Sequence, residues 1–314
     1  MMRGKLITLT AVLTLASVGN SVAGAQQPPV ASFKASVDLV RIAAVVRDHK
    51  GRFVQDLNAR DFEILDAGQS RAIADFRNDT AGVSIAVLFD VSGSMEGRLP
   101  NAREAATHVL SWLDPTRDEA AIFTFDTDLQ EVTPFTTGLK TLPDSISRVV
   151  PFGATSLHDA IARTACRAGE RDGRRRAVVV LTDGTDTASR MSPSDVSAIA
   201  SEIDVPVYIF GIVPSIDNPT EGTATNSVAR FALGGALADL AEWTGGHAFV
   251  ASTPAQRSIA ARQIIDELRH QYLIAFESSG RPGWHPLVVR ARNKDLIVRA
   301  RSGYLAGQSS PTSF

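Results

Sequence analysis

The sequence predicts an α/β fold, a doubly wound and mostly parallel sheet with a small β lobe, and three features predict it. From about residue 82 onward apolar strands alternate with amphipathic helices, and parallel strands need such crossovers. Two of those strands, "VSIAVLFD" and "RAVVVLTD", are continuous apolar runs, the mark of strands covered on both faces. On either side of this stretch the chain shows only short β-branched runs broken by polar turns.

Composition narrows the function before any motif is read. With 314 residues and 44% hydrophobic content, the chain can bury one large domain and a small one. Its 32 basic and 34 acidic residues are mixed along the sequence, so no basic stripe points to a nucleic-acid partner. The single cysteine, Cys166, allows no intramolecular disulfide and reads as a packed residue on an Ala-rich helix.

The amino terminus predicts a location. "MMRGK" is basic, "LITLTAVLTLASV" is apolar but shorter than a membrane span, and "AGA" at 23–25 offers a signal peptidase its small residues. Residues 1–25 therefore read as a removed signal peptide and the mature chain as periplasmic or secreted, an uncleaved anchor being the alternative. After cleavage no membrane span is expected. Residues 26–33 are a Pro-containing linker.

Residues 34–80 form an N-terminal β segment: "FKASVDLVRIAAVVRD" is a strand, "HKGR" its turn, and "FVQDLNARDFEIL" two short strands about a polar turn. "DAGQ" then leads into "RAIADF". The α/β unit spans 82–270. After "VSIAVLFD", residues 99–113 carry Ala102, Ala105, Ala106, Val109, Leu110 and Leu113 at helical spacing. "EAAIFTF" and "LQEVTPF" are strands, "SLHDAIARTACRA" a helix, and "RAVVVLTD" a strand. Ser192, Pro193 and Asp195 read as cap, first-turn proline and capping acid of the next helix. "VPVYIFGIV" is another strand. A loop at 214–232 precedes "ALADLAEWTG", "HAFVA" and "PAQRSIAARQIIDELRH", which read as helix, strand and helix. A C-terminal β segment, 271–306, holds "YLIAFES", "HPLVVRA", the turn "RNKD" and "LIVRARSGY", and 307–314 is a tail. The two β segments are expected to pack together as one lobe.

Chemistry concentrates where the two apolar strands end. Ligands of such sheets bind beyond the carboxyl ends of the strands. The first strand delivers Asp90, Ser92 and Ser94 there, two apart, so that their oxygens can face one point. The second delivers Thr182 and Asp183, and "FGATSLHDA" puts Thr155 in a Gly-containing loop before a helix. Hydroxyls and carboxylates without His or Cys are hard ligands that suit Mg²⁺, Mn²⁺ or Ca²⁺ rather than zinc.

"DVSGSM", "GATSLHDA" and "LTDGTD" together resemble the metal-ion-dependent adhesion site of the von Willebrand factor type A (VWA) domain family, in the order that family uses. The resemblance covers roughly residues 82–270. It implies that Ser92 and Ser94 bind a divalent cation, Mg²⁺ first, through their hydroxyls, with Thr155 direct or through water and Asp90 and Asp183 largely through water. It also implies a protein partner whose Asp or Glu completes the coordination. Ala154 departs from the family, which often has a second Gly there. The flanking motifs, "DLNARDFEILDAGQSRAIADF" before the domain and "GWHPLVVRA" after it, resemble the exported bacterial VWA-related proteins abundant in Acidobacteria.

The expected function is thus an exported, metal-dependent protein-binding module for adhesion or scaffolding, and not an enzyme. No nucleophile elbow, His-Glu-x-x-His or phosphate loop occurs. A scaffold with a degenerate or purely structural metal site is the alternative, and a metal-dependent hydrolase a further one. Asp186 is either an outer-shell acid or a turn residue, and His158 either approaches a ligand at the rim or caps its helix. Asp126 and Asp128 fit a strand-to-strand turn. "GRRRA", with its arginines at 174–176, is either a solvated loop or a contact for an acidic partner.

Overall fold

A computed structural model describes residues 39–78, 81–202, 204–213 and 235–306. The predicted signal peptide, the linker, the loop at 214–232 and the tail lie outside the described residues. Four strands come first: β1 (Leu39–Asp48), β2 (Phe62–Asp66), β3 (Gln69–Arg71) and β4 (Ile73–Arg77). The α/β unit then runs β5 (Val83–Asp90), α1 (Leu99–Trp112), β6 (Glu119–Phe125), β7 (Leu129–Thr137), α2 (Asp144–Arg148), α3 (Leu157–Gly169) and β8 (Arg175–Thr182). It continues with α4 (Pro193–Glu202), β9 (Val207–Gly211), α5 (Gly235–Trp243), β10 (Ala248–Val250) and α6 (Pro254–Arg269). Four strands close the chain: β11 (Gln271–Glu277), β12 (Gly283–Ala291), β13 (Leu296–Arg299) and β14 (Gly303–Ala306).

The six-stranded sheet has the order β10-β9-β8-β5-β6-β7 and is parallel except for β7, which runs antiparallel along the edge of β6. All eight residues of β5 are buried, as a strand covered on both faces requires. Ile85, Val87 and Phe89 face a core shared with α1 and α6, while Ala86 and Leu88 face one shared with α3, α4 and α5. The α4 cap is as predicted: Ser192 Oγ lies 2.7 Å from Asp195 Oδ2, and the same carboxylate accepts from the Ser192 amide. Because β6 lies on one side of β5 and β8 on the other, the order in which strands are added to the sheet switches sides at β5. The loops after β5 and β8 therefore part at the sheet's carboxyl edge and leave a crevice there.

The flanking segments interleave into two antiparallel sheets, β13-β1-β11-β4 and β14-β12-β2-β3. Ile42, Ile64, Tyr272, Phe276, Val289 and Tyr304 lie in one core between them. The fold class is the predicted one, but three strand readings needed correction. "RAIADF" is not one strand: β3 pairs with β2 and β4 with β11, so the chain changes sheet at Ala72, as corners of stacked sheets do. "LIVRARSGY" divides in the same way, β13 pairing with β1 and β14 with β12. The strand expected after "HKGR" is a single bridge between Arg47 and Phe53.

Candidate metal centre

Asp90 is the last residue of β5 and Thr182 the last of β8, and the register that pairs Phe89 with Leu181 sets them side by side. Asp90 is fully buried. Its Oδ1 accepts hydrogen bonds from the Ser92 hydroxyl at 2.6 Å and the Ser92 amide at 3.0 Å, and its Oδ2 accepts from the Thr182 hydroxyl at 2.6 Å. Burial pushes the Asp90 carboxyl above its usual range, with help from the charge of Asp183 and against those three hydrogen bonds.

A hydroxyl has one proton, so the Ser92 oxygen that donates to Asp90 keeps its lone pairs for something else. It stands 3.1 Å from the exposed Ser94 hydroxyl. Neighbouring ligands of an octahedral Mg²⁺ with bonds of 2.0–2.1 Å stand about 2.9 Å apart, so the two oxygens are spaced as a hard divalent cation would take them. Among the described residues no three His, Cys, Asp or Glu side chains converge on one point, so a cation here depends on hydroxyls. The donor set fits the group.

Thr155 sits on a third loop stitched to both neighbours. Gly93 donates its amide to the Gly153 carbonyl at 3.1 Å, and Phe152 donates to Val91 at 3.0 Å. On the other side the Thr187 hydroxyl accepts from the Thr155 amide at 2.9 Å, and the Thr155 carbonyl accepts from the amides of Thr187 and Ala188. The left-handed backbone of this loop falls on Gly153, φ +85°, and not on Ala154, which explains why alanine is tolerated where the family often has glycine. A Cβ at Gly153 would also meet Asp126, whose own carbonyl accepts from the Ser156 amide at 2.7 Å.

Asp183 follows β8 with its side chain 6% exposed. Its Oδ2 accepts from Arg98 Nη1 at 2.5 Å, and the same nitrogen donates to the Ser94 carbonyl at 2.8 Å. Sequence reasoning missed Arg98, since a residue between a short turn and α1 carries no motif of its own. It also left Thr182 out of the ligand set, although Thr182 anchors Asp90. Asp126 and Asp128 form the expected strand-to-strand turn, the Asp128 amide donating to Asp126 Oδ1 at 2.9 Å. Asp186 and His158 belong to a helix cap instead: Asp186 Oδ2 accepts from the His158 amide at 3.0 Å and lies 2.8 Å from its Nδ1. Burial works against the Asp186 charge, but bonds from Ser189 and His158 outweigh it and hold its pKa below the usual range.

The rim beside these loops is apolar. Val150 and Phe152 are 79% and 80% exposed.

A family model described as the von Willebrand factor type A domain matches residues 84–255. No curated protein matches the chain. Among solved structures it is similar to an aerotolerance-related membrane protein from Bacteroides fragilis, with 20% identity, 60% of this chain and 98% of that one covered, and a TM-score of 0.47. It is similar to proximal thread matrix protein 1 from the mussel byssus with a zinc-occupied MIDAS motif, with 18% identity, 65% and 49% covered, and a TM-score of 0.44. A von Willebrand factor type A protein from Catenulispora acidiphila shares 14% identity over 88% of this chain and 74% of that one, with a TM-score of 0.43. With the family model matched over more than half of its length, the chain belongs to the von Willebrand factor type A domain family.

Proposed function

We propose that this VWA protein is an exported binding module for adhesion or scaffolding, in which Asp90, Ser92, Ser94, Thr155 and Asp183 hold a divalent cation, Mg²⁺ first. The cation takes a carboxylate from an Asp or Glu of a partner protein. VWA domains mediate protein–protein interaction. The observation that carries the metal reading is the Ser92–Ser94 oxygen pair, 3.1 Å apart, with the Ser92 proton committed to a buried carboxylate. Neutral hydroxyls leave such a cation only partly neutralised, which keeps it attractive to an outside carboxylate. Exposed Val150 and Phe152 beside it offer apolar area that a partner can cover.

Export rests on residues 1–25, and among the described residues no helix is long and apolar enough to cross a membrane. The flanking motifs support a place among the exported VWA-related bacterial proteins. A non-catalytic role is favoured because His158, the imidazole nearest the site in sequence, is engaged by Asp186 at 2.8 Å.

The test is calorimetric titration of the purified chain with Mg²⁺, Mn²⁺, Ca²⁺ and Zn²⁺, followed by capture from cell-envelope extract with and without chelator. Capture that needs the cation and vanishes in Asp90→Ala supports the reading, and capture undiminished by chelator overturns it. A degenerate site is the second reading, favoured by Arg98, whose guanidinium already occupies the Asp183 carboxylate. It predicts no measurable cation binding in the wild type.

A further inference from the structure

The amino edge of the same sheet holds a second feature. A cavity of about 330 Å³ opens between the first residues of β8, with Asp204 and Pro206 just before β9, and the outer face of the sheet containing β1, β11 and β4. Strand alternation builds that face. The register sets Arg41, Ala275 and Asp75 in one cross-strand row and Ala43, Leu273 and Arg77 in the next, while Ile42 and Ile274 turn to the core of the lobe. The small Ala43 and Ala275 leave room between longer neighbours. Opposite stand Arg174, Arg175 and Arg176, the basic cluster for which the carboxyl-edge site has no use.

Five arginines and three aspartates, Asp75, Asp172 and Asp204, line this space. Arg77 is paired with Asp75 at 2.9 Å, and Arg176 donates to the Gly169 carbonyl at 2.7 Å. Arg174 donates to the Arg117 carbonyl and lies 3.6 Å from Glu119. A guanidinium has five N–H donors, so these contacts leave both Arg174 and Arg176 with donors to offer. The Arg41 side chain makes no hydrogen bond or ion pair with the described residues.

Arg301 adds positive charge behind the cavity wall. It is 5% exposed, its Nη2 donates to the carbonyl of Arg41 in the cavity wall, and its buried Nε and Nη1 have no partner among the described residues. Burial pulls its pKa down, opposed by the charge of Asp204, which also lines the cavity. The Arg301 guanidinium thus lies behind the wall and adds to the positive potential that an anion in the cavity would meet.

We propose that this cavity binds a small organic anion, with a phosphate or carboxylate head on the arginines and a short apolar body against Ala43, Leu273 and Pro206. Planar guanidinium forks match both head groups, and the volume exceeds what a bare oxyanion fills while falling within the range of small-molecule sites. The site stands apart from the metal centre by the length of β8, roughly 25 Å at 3.3 Å per residue, so neither proposal depends on the other.

The experiment is calorimetry and thermal shift on the full chain at low salt, with chelator present, using inorganic phosphate, phenyl phosphate and benzoate as probes. Saturable binding of phenyl phosphate or benzoate, at least tenfold weaker in Arg41→Ala and in Arg174→Ala and unchanged in the surface control Arg290→Ala, supports the site. The ratio of the two organic probes identifies the head group. Tighter binding of inorganic phosphate than of either organic probe overturns the organic-anion assignment. No saturable binding of any probe, or equal loss in Arg290→Ala, overturns the site itself. Arg41 is exposed, so its truncation leaves the fold in place, and an unchanged melting temperature of the free variant verifies this.

Discussion

At the carboxyl ends of β5 and β8 a buried aspartate orients two hydroxyls, whereas at the amino ends of β8 and β9 arginines crowd a cavity. The strands are shared, and the polarity of the helices is part of the difference. Helices α1 and α3 begin at the carboxyl edge, where their positive dipole ends favour acids, and Asp186 accepts from the His158 amide in the first turn of α3 there. At the other edge α3 ends, and the Gly169 carbonyl in its last turn accepts from Arg176. Each edge thus carries charge that its helix ends favour. What sets the carboxyl edge apart is that hydroxyls stand between the acid and the opening, so a cation meets neutral oxygen first.

The largest break in this comparison is expected from Asp90→Ala. It leaves the Ser92 and Thr182 hydroxyls without their acceptor, so divalent-cation affinity in calorimetry should fall by roughly a hundredfold, the upper range for losing an orienting partner. Anion binding at the amino edge should not change, and a loss there as well would mean that the variant had disturbed the whole sheet.

Acid should act on the packing between lobe and sheet. His247 lies just before β10, and burial, with Arg299 and Arg47 nearby, pushes its pKa down to about 4 from an ordinary 6.5. On acidification the unfolded chain takes up the proton first, so stability present above pH 6.5 is lost as pH falls toward 4. The slope is about 1.4 kcal/mol per pH unit and the total on the order of 3 kcal/mol. Denaturant midpoints measured across this window should fall in the wild type and flatten in His247→Gln.

Gly153→Ala tests how far the carboxyl edge depends on its loops. A side chain at φ +85° should cost about 1–2 kcal/mol in thermal unfolding and weaken cation binding by moving Thr155. Arg98→Ala should act in the opposite direction. Removing the guanidinium from Asp183 should tighten cation binding roughly fivefold, the scale of a part-exposed ion pair, and a weaker affinity would show Arg98 to be a support and not a competitor. The smallest effect on stability belongs to Phe152→Ser, within about 0.5 kcal/mol for so exposed a residue, yet partner capture should drop while cation affinity holds.

Much of the fold was legible because its signals are local. An uninterrupted apolar run such as "VSIAVLFD" reports burial on both faces from eight adjacent residues, and the alternation of such runs with helices leaves few topologies. The candidate ligands were legible for a similar reason, since Asp90, Ser92 and Ser94 are spaced within five residues and each strand end marks the edge where its loop must lie. The lobe was read less well. "RAIADF" and "LIVRARSGY" each look continuous, and nothing within them announces that the chain changes sheet at Ala72 or between Arg299 and Gly303.

By itself the sequence determined the strand and helix order, the doubly wound class, and the oxygen-bearing residues delivered to the carboxyl edge. Only the tertiary structure decided that Thr182 anchors Asp90, that Arg98 reaches Asp183 across 85 positions, and that "GRRRA" faces Arg41 and Arg77 across a cavity. The reason is physical. Periodicity records which side of an element is buried, while register, crossover and the reach of a long side chain are settled only when distant segments pack.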